Sequence, residues 1–176
     1  MRRDQAAFFK ACLADALIGL MEEKPFDEIS VSDICVRAEV GRTTYYRHCD
    51  RRSGKEDLLV FKLRDEWARY ARKHREETAR DRGFALTCFV YENRELFALL
   101  DRHGLVPVLM RAVEALLLEG GAADDDASYL AAFFTYGYFG ILYRWIRRGF
   151  LETPEQLRQQ TTQVLAAGPP GGSRGS

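Results

Sequence analysis

Apolar residues recur every three or four positions along most of the chain, and that spacing predicts helices almost from end to end. Phe9, Leu13, Ala16, Leu17 and Leu20 define a first helix over 4–23. Pro25 stops it, because the residue ahead of a proline is pushed out of helical geometry. Arg2 and Arg3 then lie ahead of that helix, as a solvated terminus or as an arm touching phosphate or the minor groove. A second helix begins after Ser30, whose hydroxyl and the Asp33 carboxylate are spaced for a capping box, with Ile34, Cys35 and Ala38 facing inward. Val40 plugs the turn that follows, and Gly41 caps a third helix over 42–48. From Lys55 a long fourth helix runs to about Arg80 on a stripe of Leu59, Leu63, Trp67, Tyr70 and His74, roughly 40 Å at ~1.5 Å per residue.

Stripes over 84–92, 94–103 and 106–119 predict three more helices, parted by Gly104 with Pro107 and then by Gly120 and Gly121. Asp124, Asp125 and Asp126 open the next helix, where its dipole favours negative charge. Arg144, Arg147 and Arg148 close it, and Gly149 stops it. This helix is apolar on every side, so a second surface must cover it. Gly137 and Gly140 in its interior cost about 1 kcal/mol each, which close approach of another helix offsets. A last helix has Thr153 as cap, Pro154 in its first turn and Gln156 completing a capping box. The expected interface of a homodimer is therefore Gly137, Gly140, Ile141, Tyr143, Arg144 and Trp145 with Leu157 and Val164. Residues 168–176 (GPPGGSRGS) read as a flexible tail.

The third helix is the exception to this apolar economy. Its seven residues hold two tyrosine rings and nothing else apolar, and isolated short helices are marginal in water, so it is kept for what it displays. Together with 30–38 it makes a helix-turn-helix pattern, whose first turn (Arg42, Thr43, Thr44) meets base edges when such a helix lies in a major groove. Tyr46 and His48 are placed to donate to phosphate oxygens. Taken singly, Tyr45 reads as a core ring, His48 as a satisfied surface histidine and Arg47 as a solvated charge. The formal net charge is zero over 176 residues, yet Arg42, Arg47, Arg51, Arg52 and Lys55 face only Asp50 between 42 and 55.

The stretch 38–48 (AEVGRTTYYRH), with 55–59 (KEDLL) after it, closely resembles the N-terminal domain of tetracycline-repressor (TetR) family regulators. The resemblance covers about the first third of the chain. It implies that Arg42, Thr44 and Tyr45 face the groove, that Tyr46 and His48 take phosphates, and that Lys55 at the start of the fourth helix takes another. It also implies a dimer built on the last two helices, a near-palindromic operator, and a small effector in the C-terminal bundle. Two departures stand out: Cys49 replaces the usual phenylalanine, and the connection to Lys55 is three residues longer. Arg51 and Arg52 in that insertion either loop out into solvent or add phosphate contacts.

The expected architecture is thus all-α, with a three-helix helix-turn-helix domain (1–54) joined by a long helix to a dimerising helical bundle (55–167). A small apolar or aromatic effector would be lined by Trp67, Phe84, Tyr91, Met110, Phe133 and Tyr136, although these residues, with Phe89, equally suit plain core. The C-terminal domain is short for the family and leaves room for a small pocket or none. Cys12, Cys35, Cys49 and Cys88 show no metal or redox spacing, and the charged start 1–4 leads us to expect a cytoplasmic protein with free thiols and no cofactor. The apolar run 130–146 is shorter than the ~20 residues a membrane span requires. No Ser/His/Asp set, paired buried carboxylates or Gly-rich phosphate loop suggests an enzyme. The competing reading is a regulator-like interaction subunit that pairs with a partner protein and does not itself read DNA.

Overall fold

In the computed structural model, residues 2–49, 54–118 and 125–167 are described. They form ten α-helices and one short 3-10 turn, with no strand among the described residues. The helices are α1 (Arg2–Glu23), α2 (Val31–Arg37), α3 (Arg42–His48), α4 (Glu56–Lys73), α5 (Arg75–Arg80), α6 (Arg82–Glu92), α7 (Arg94–Arg102), α8 (Val106–Leu118), α9 (Asp125–Arg147) and α10 (Pro154–Ala167). The 3-10 turn, Phe26–Glu28, lies between α1 and α2, where sequence periodicity is silent. Helix α1 takes in Arg2 and Arg3, which the apolar pattern had placed ahead of it.

Helix α4 is the pillar. It packs against α1 on one side and against α8 and α6 on the other, so the three N-terminal helices and the bundle share one continuous core. Leu58, Leu59, Leu63 and Trp67, all buried, supply its inward stripe. Fully burying a Leu side chain is worth roughly 1.5–3 kcal/mol, so this stripe is a main source of the stability that holds the N-terminal helices in place.

The long fourth helix is shorter than the periodicity implies. It ends at Lys73, about 27 Å long at ~1.5 Å per residue. At His74 the backbone turns out of helical geometry (φ −112°, ψ 46°), and α5 then starts in a new direction. There is no Gly or Pro here to announce the break. It coincides with a stack of rings, Trp67 on Tyr70 at 5.8 Å and Tyr70 on His74 at 4.4 Å, set against Phe89 from α6.

The remaining ends follow their local signals. Asp81 caps α6 by accepting from the Phe84 N–H at 2.9 Å. Thr153 and Gln156 form the expected capping box, 2.8 and 3.3 Å. Gly149 stops α9 in the left-handed region, φ 69°. Helix α9 is tied to α6 through Tyr138, whose hydroxyl donates to the Gly83 carbonyl and meets the Thr87 hydroxyl, which explains a threonine in the core. The acidic start of α9 begins at Asp125; Asp124 lies outside the described residues.

Candidate nucleic-acid interface

Helix α2 is built as its sequence implies. The Ser30 hydroxyl accepts from the Asp33 N–H at 3.1 Å, and the Asp33 carboxylate accepts from the Ser30 N–H at 2.9 Å. The Lys24 ammonium adds a hydrogen bond to the same carboxylate at 2.7 Å. That bond first, and then the backbone N–H of Ser30, holds the Asp33 carboxyl down at about 2, from a usual value of 3.8. A carboxyl whose folded value is depressed contributes stability above its unfolded value and loses it as the pH falls through the folded one. Acid titration followed by circular dichroism should therefore show a step between about pH 3.8 and pH 2 that Asp33→Asn lacks; coincident curves for the two proteins would remove Asp33 from the acid response.

The turn from α2 to α3 places Glu39 in the left-handed region at φ 53°, where a glycine is usual at a helix end. Gly41, by contrast, sits at φ −66°, and a Cβ there would meet nothing, so its glycine is not demanded by the backbone. Gly19 does make room: a Cβ on it would come within 3.2 Å of the Arg37 guanidinium, which lies across α1 to reach Glu23 at 2.6 Å.

On α3, Arg42, Thr43, Tyr46 and Arg47 are exposed, while Thr44 and His48 are half-buried. Thr43 and Arg47 are one helical turn apart and share a face. Arg47, which read singly is a solvated charge, is thus exposed beside Thr43. Arg42 donates to the Ser32 hydroxyl across the turn, which steadies the start of α3. His48 stacks on Phe9 of α1 at 5.8 Å.

Two expected contacts are corrected. Tyr45 is only 3% exposed, and its ring fills the space between the three N-terminal helices, so it belongs to the core and not to the groove-facing surface. Burial pushes its hydroxyl up to about 12. Lys55 is turned inward: its ammonium donates to the Phe26 carbonyl and, at 2.8 Å, to that of Ile29, and lies 4.2 Å from the centre of the Phe26 ring. Desolvation lowers its pKa. The turn of Lys55 follows from long-range packing that brings the 3-10 turn beside the start of α4. Cys49 is buried under α3 as a smaller core contact. Arg51 and Arg52 lie outside the described residues.

The six residues expected around an effector do not converge. Trp67 is core, edge-on to Phe89 at 5.5 Å, and Tyr91 stacks on Trp145 at 5.6 Å. Met110 is half-buried on α8, and Phe133 and Tyr136 stand on the outside of α9, 68% and 56% exposed. Phe84 borders a cleft of 660 Å³, with Tyr70, His74, Glu77, Cys88 and Arg158, where α4 breaks into α5, while Trp67 borders a separate one beside Lys10 and Phe61. His74, which lines the Phe84 cleft, has its Nε2 buried without a hydrogen-bond partner.

The expected interface residues also divide. Gly137, Gly140 and Arg144 are exposed, Ile141 and Tyr143 half-buried. Trp145 and Leu157 are buried within the protomer. Trp145 donates its indole N–H to the Glu152 carbonyl at 3.0 Å and meets Phe150 edge-on at 5.1 Å. The Val164 side chain lies outside the described residues. Among the described residues, the exposed positions of α9 include a stripe of Tyr129, Phe133, Tyr136 and Gly140, at spacings of four, three and four, with Phe134 exposed beside it.

An all-α chain with two short N-terminal helices set around a tight turn and carried by a helical bundle is the architecture of a helix-turn-helix transcriptional regulator. Residues 65–167, more than half of the chain, match the family model for the TetR-type transcriptional regulator C-terminal region. The chain belongs to the TetR family of transcriptional regulators. No curated protein sequence matches it. Among the described residues, no helix is long and apolar enough to cross a membrane.

Proposed function

We propose that the chain is a homodimeric cytoplasmic regulator that binds a near-palindromic duplex operator through α3 of each protomer, and acts as a repressor. In this reading residues 1–54 form the DNA-reading head, 55–167 the dimerising bundle, and 168–176 a tail. The observation that carries it is the face of α3. Arg42, Thr43, Tyr46 and Arg47 are exposed on a seven-residue helix whose buried ring, Tyr45, anchors it to the core. A small apolar or aromatic effector entering the cleft beside Phe84, Tyr70 and His74 would change operator affinity if it binds two arrangements of the heads unequally.

The test is binding to a duplex selected from a random pool, measured over a range of salt. Each phosphate contact adds about 0.9 to the slope of log affinity against log salt. Arg47→Ala should flatten that slope by about one unit, and Arg51→Ala with Arg52→Ala by about one to two units. Unchanged slopes would take these arginines out of the interface. The inward turn of Lys55 favours the second reading, a subunit that pairs with a partner protein and leaves DNA alone. Absence of any salt-sensitive duplex binding by the wild-type protein would decide for it.

A further inference from the structure

Pro25 leaves two backbone groups without their helical partners. Having no N–H, it cannot donate to the carbonyl of Met21, four residues earlier, and by breaking the helix it also strands the Phe26 N–H. A single side chain from the bundle satisfies both. His103, in the turn between α7 and α8, lies with Nε2 2.8 Å from the Met21 carbonyl and with Nδ1 accepting from the Phe26 N–H at 3.2 Å. An imidazole does this only as the neutral tautomer carrying its proton on Nε2, since one ring nitrogen must donate and the other accept.

The same turn is gripped from its other side. Lys55 takes the carbonyl of Phe26 and that of Ile29, the residue before the Ser30 cap of α2. Helix α2 then reaches α3 through Arg42 and Ser32. Two sets of hydrogen bonds, joined by the backbone from Ile29 to Ser32, thus run from the end of α7, through the 3-10 turn, to the start of α3. Withdrawing the His103 ring strands a donor and an acceptor together. The contact is therefore made or broken as a unit.

We infer that His103 is a positioning residue for DNA recognition: it seats the Phe26–Glu28 turn on the bundle, and so sets the placement of α2 and α3. This inference rests on the DNA-binding reading, and two readouts separate them. In the full-length protein with His103→Ala, amide exchange at Phe26 should accelerate at least tenfold, amides of α8 and α9 should stay within about twofold, and affinity for the selected duplex should fall about tenfold. His103→Gln, which offers one amide donor and one carbonyl acceptor, should recover both losses. If His103→Ala does not fold, His103→Phe, which keeps an aromatic ring and lacks both ring nitrogens, is read in the same way. An unchanged Phe26 amide, an equal acceleration throughout the bundle, or full duplex affinity with Phe26 released would each overturn the assignment. Failure of the wild-type protein to bind any duplex would sink the DNA reading alone, because the exchange measurement needs no DNA.

Discussion

Trp145→Ala should lower the unfolding free energy by about 3–5 kcal/mol, a large part of the 5–15 kcal/mol typical of a folded domain. The indole is 1% exposed, stacked on Tyr91, edge-on to Phe150, and hydrogen-bonded to the Glu152 carbonyl. Removing it leaves a cavity where α9, α6 and the turn into α10 meet, and strands a carbonyl. Urea unfolding reads the loss, and Trp67, the other of the two tryptophans, remains as the fluorescent reporter. A tryptophan at a subunit interface would produce a loss that is absent at high dilution and grows as protein concentration rises, because association stabilises the wild-type dimer first. A tryptophan in the protomer core produces a shift in the urea midpoint that the variant keeps at any concentration.

Phe133→Asp combined with Tyr136→Asp should have the opposite signature. Both rings already stand in water in the protomer, so its fold should change by no more than about 0.5 kcal/mol per site. Their stripe on α9 continues through Gly140, whose missing side chain meets no neighbour within the protomer. If that stripe is the homodimer interface, the pair of carboxylates should leave a folded monomer in sedimentation equilibrium. Operator affinity should fall by a factor of about a hundred or more, since the second half-site no longer binds at high effective concentration. A variant that still sediments as a dimer would move the interface elsewhere.

Most of the local architecture was legible in the sequence because its causes are local. The Ser30 and Asp33 box, the Thr153 and Gln156 box and the Gly149 stop each depend on residues within one turn of one another, and all three stand as read. The display of α3 was legible for a related reason: a seven-residue helix with little to bury has to be held for its surface. The break at His74 was not, since nothing in the 70–80 stretch distinguishes a helix that continues from one that turns on a stack of rings. Lys55 was misplaced for the same reason, whereas Tyr45, read singly as a core ring, was put in the groove by the family resemblance alone. A long ammonium side chain reaches a phosphate or a backbone carbonyl with equal ease, and the choice belongs to whichever lies nearby after packing.

By itself the sequence determined the helical class, most helix starts and stops, and the exposed face of α3, because capping and periodicity act over three or four residues. Folding in three dimensions settled which apolar residues cover one another: Trp145 within the protomer, Phe133 and Tyr136 outside it, and the effector candidates scattered across both. It also settled that His103, 77 residues away from Phe26, satisfies the groups Pro25 leaves bare. Periodicity says which side of a helix avoids water and is silent about what meets it there. A polar group stranded by a proline in one helix carries no record of the side chain, far along the chain, that answers it.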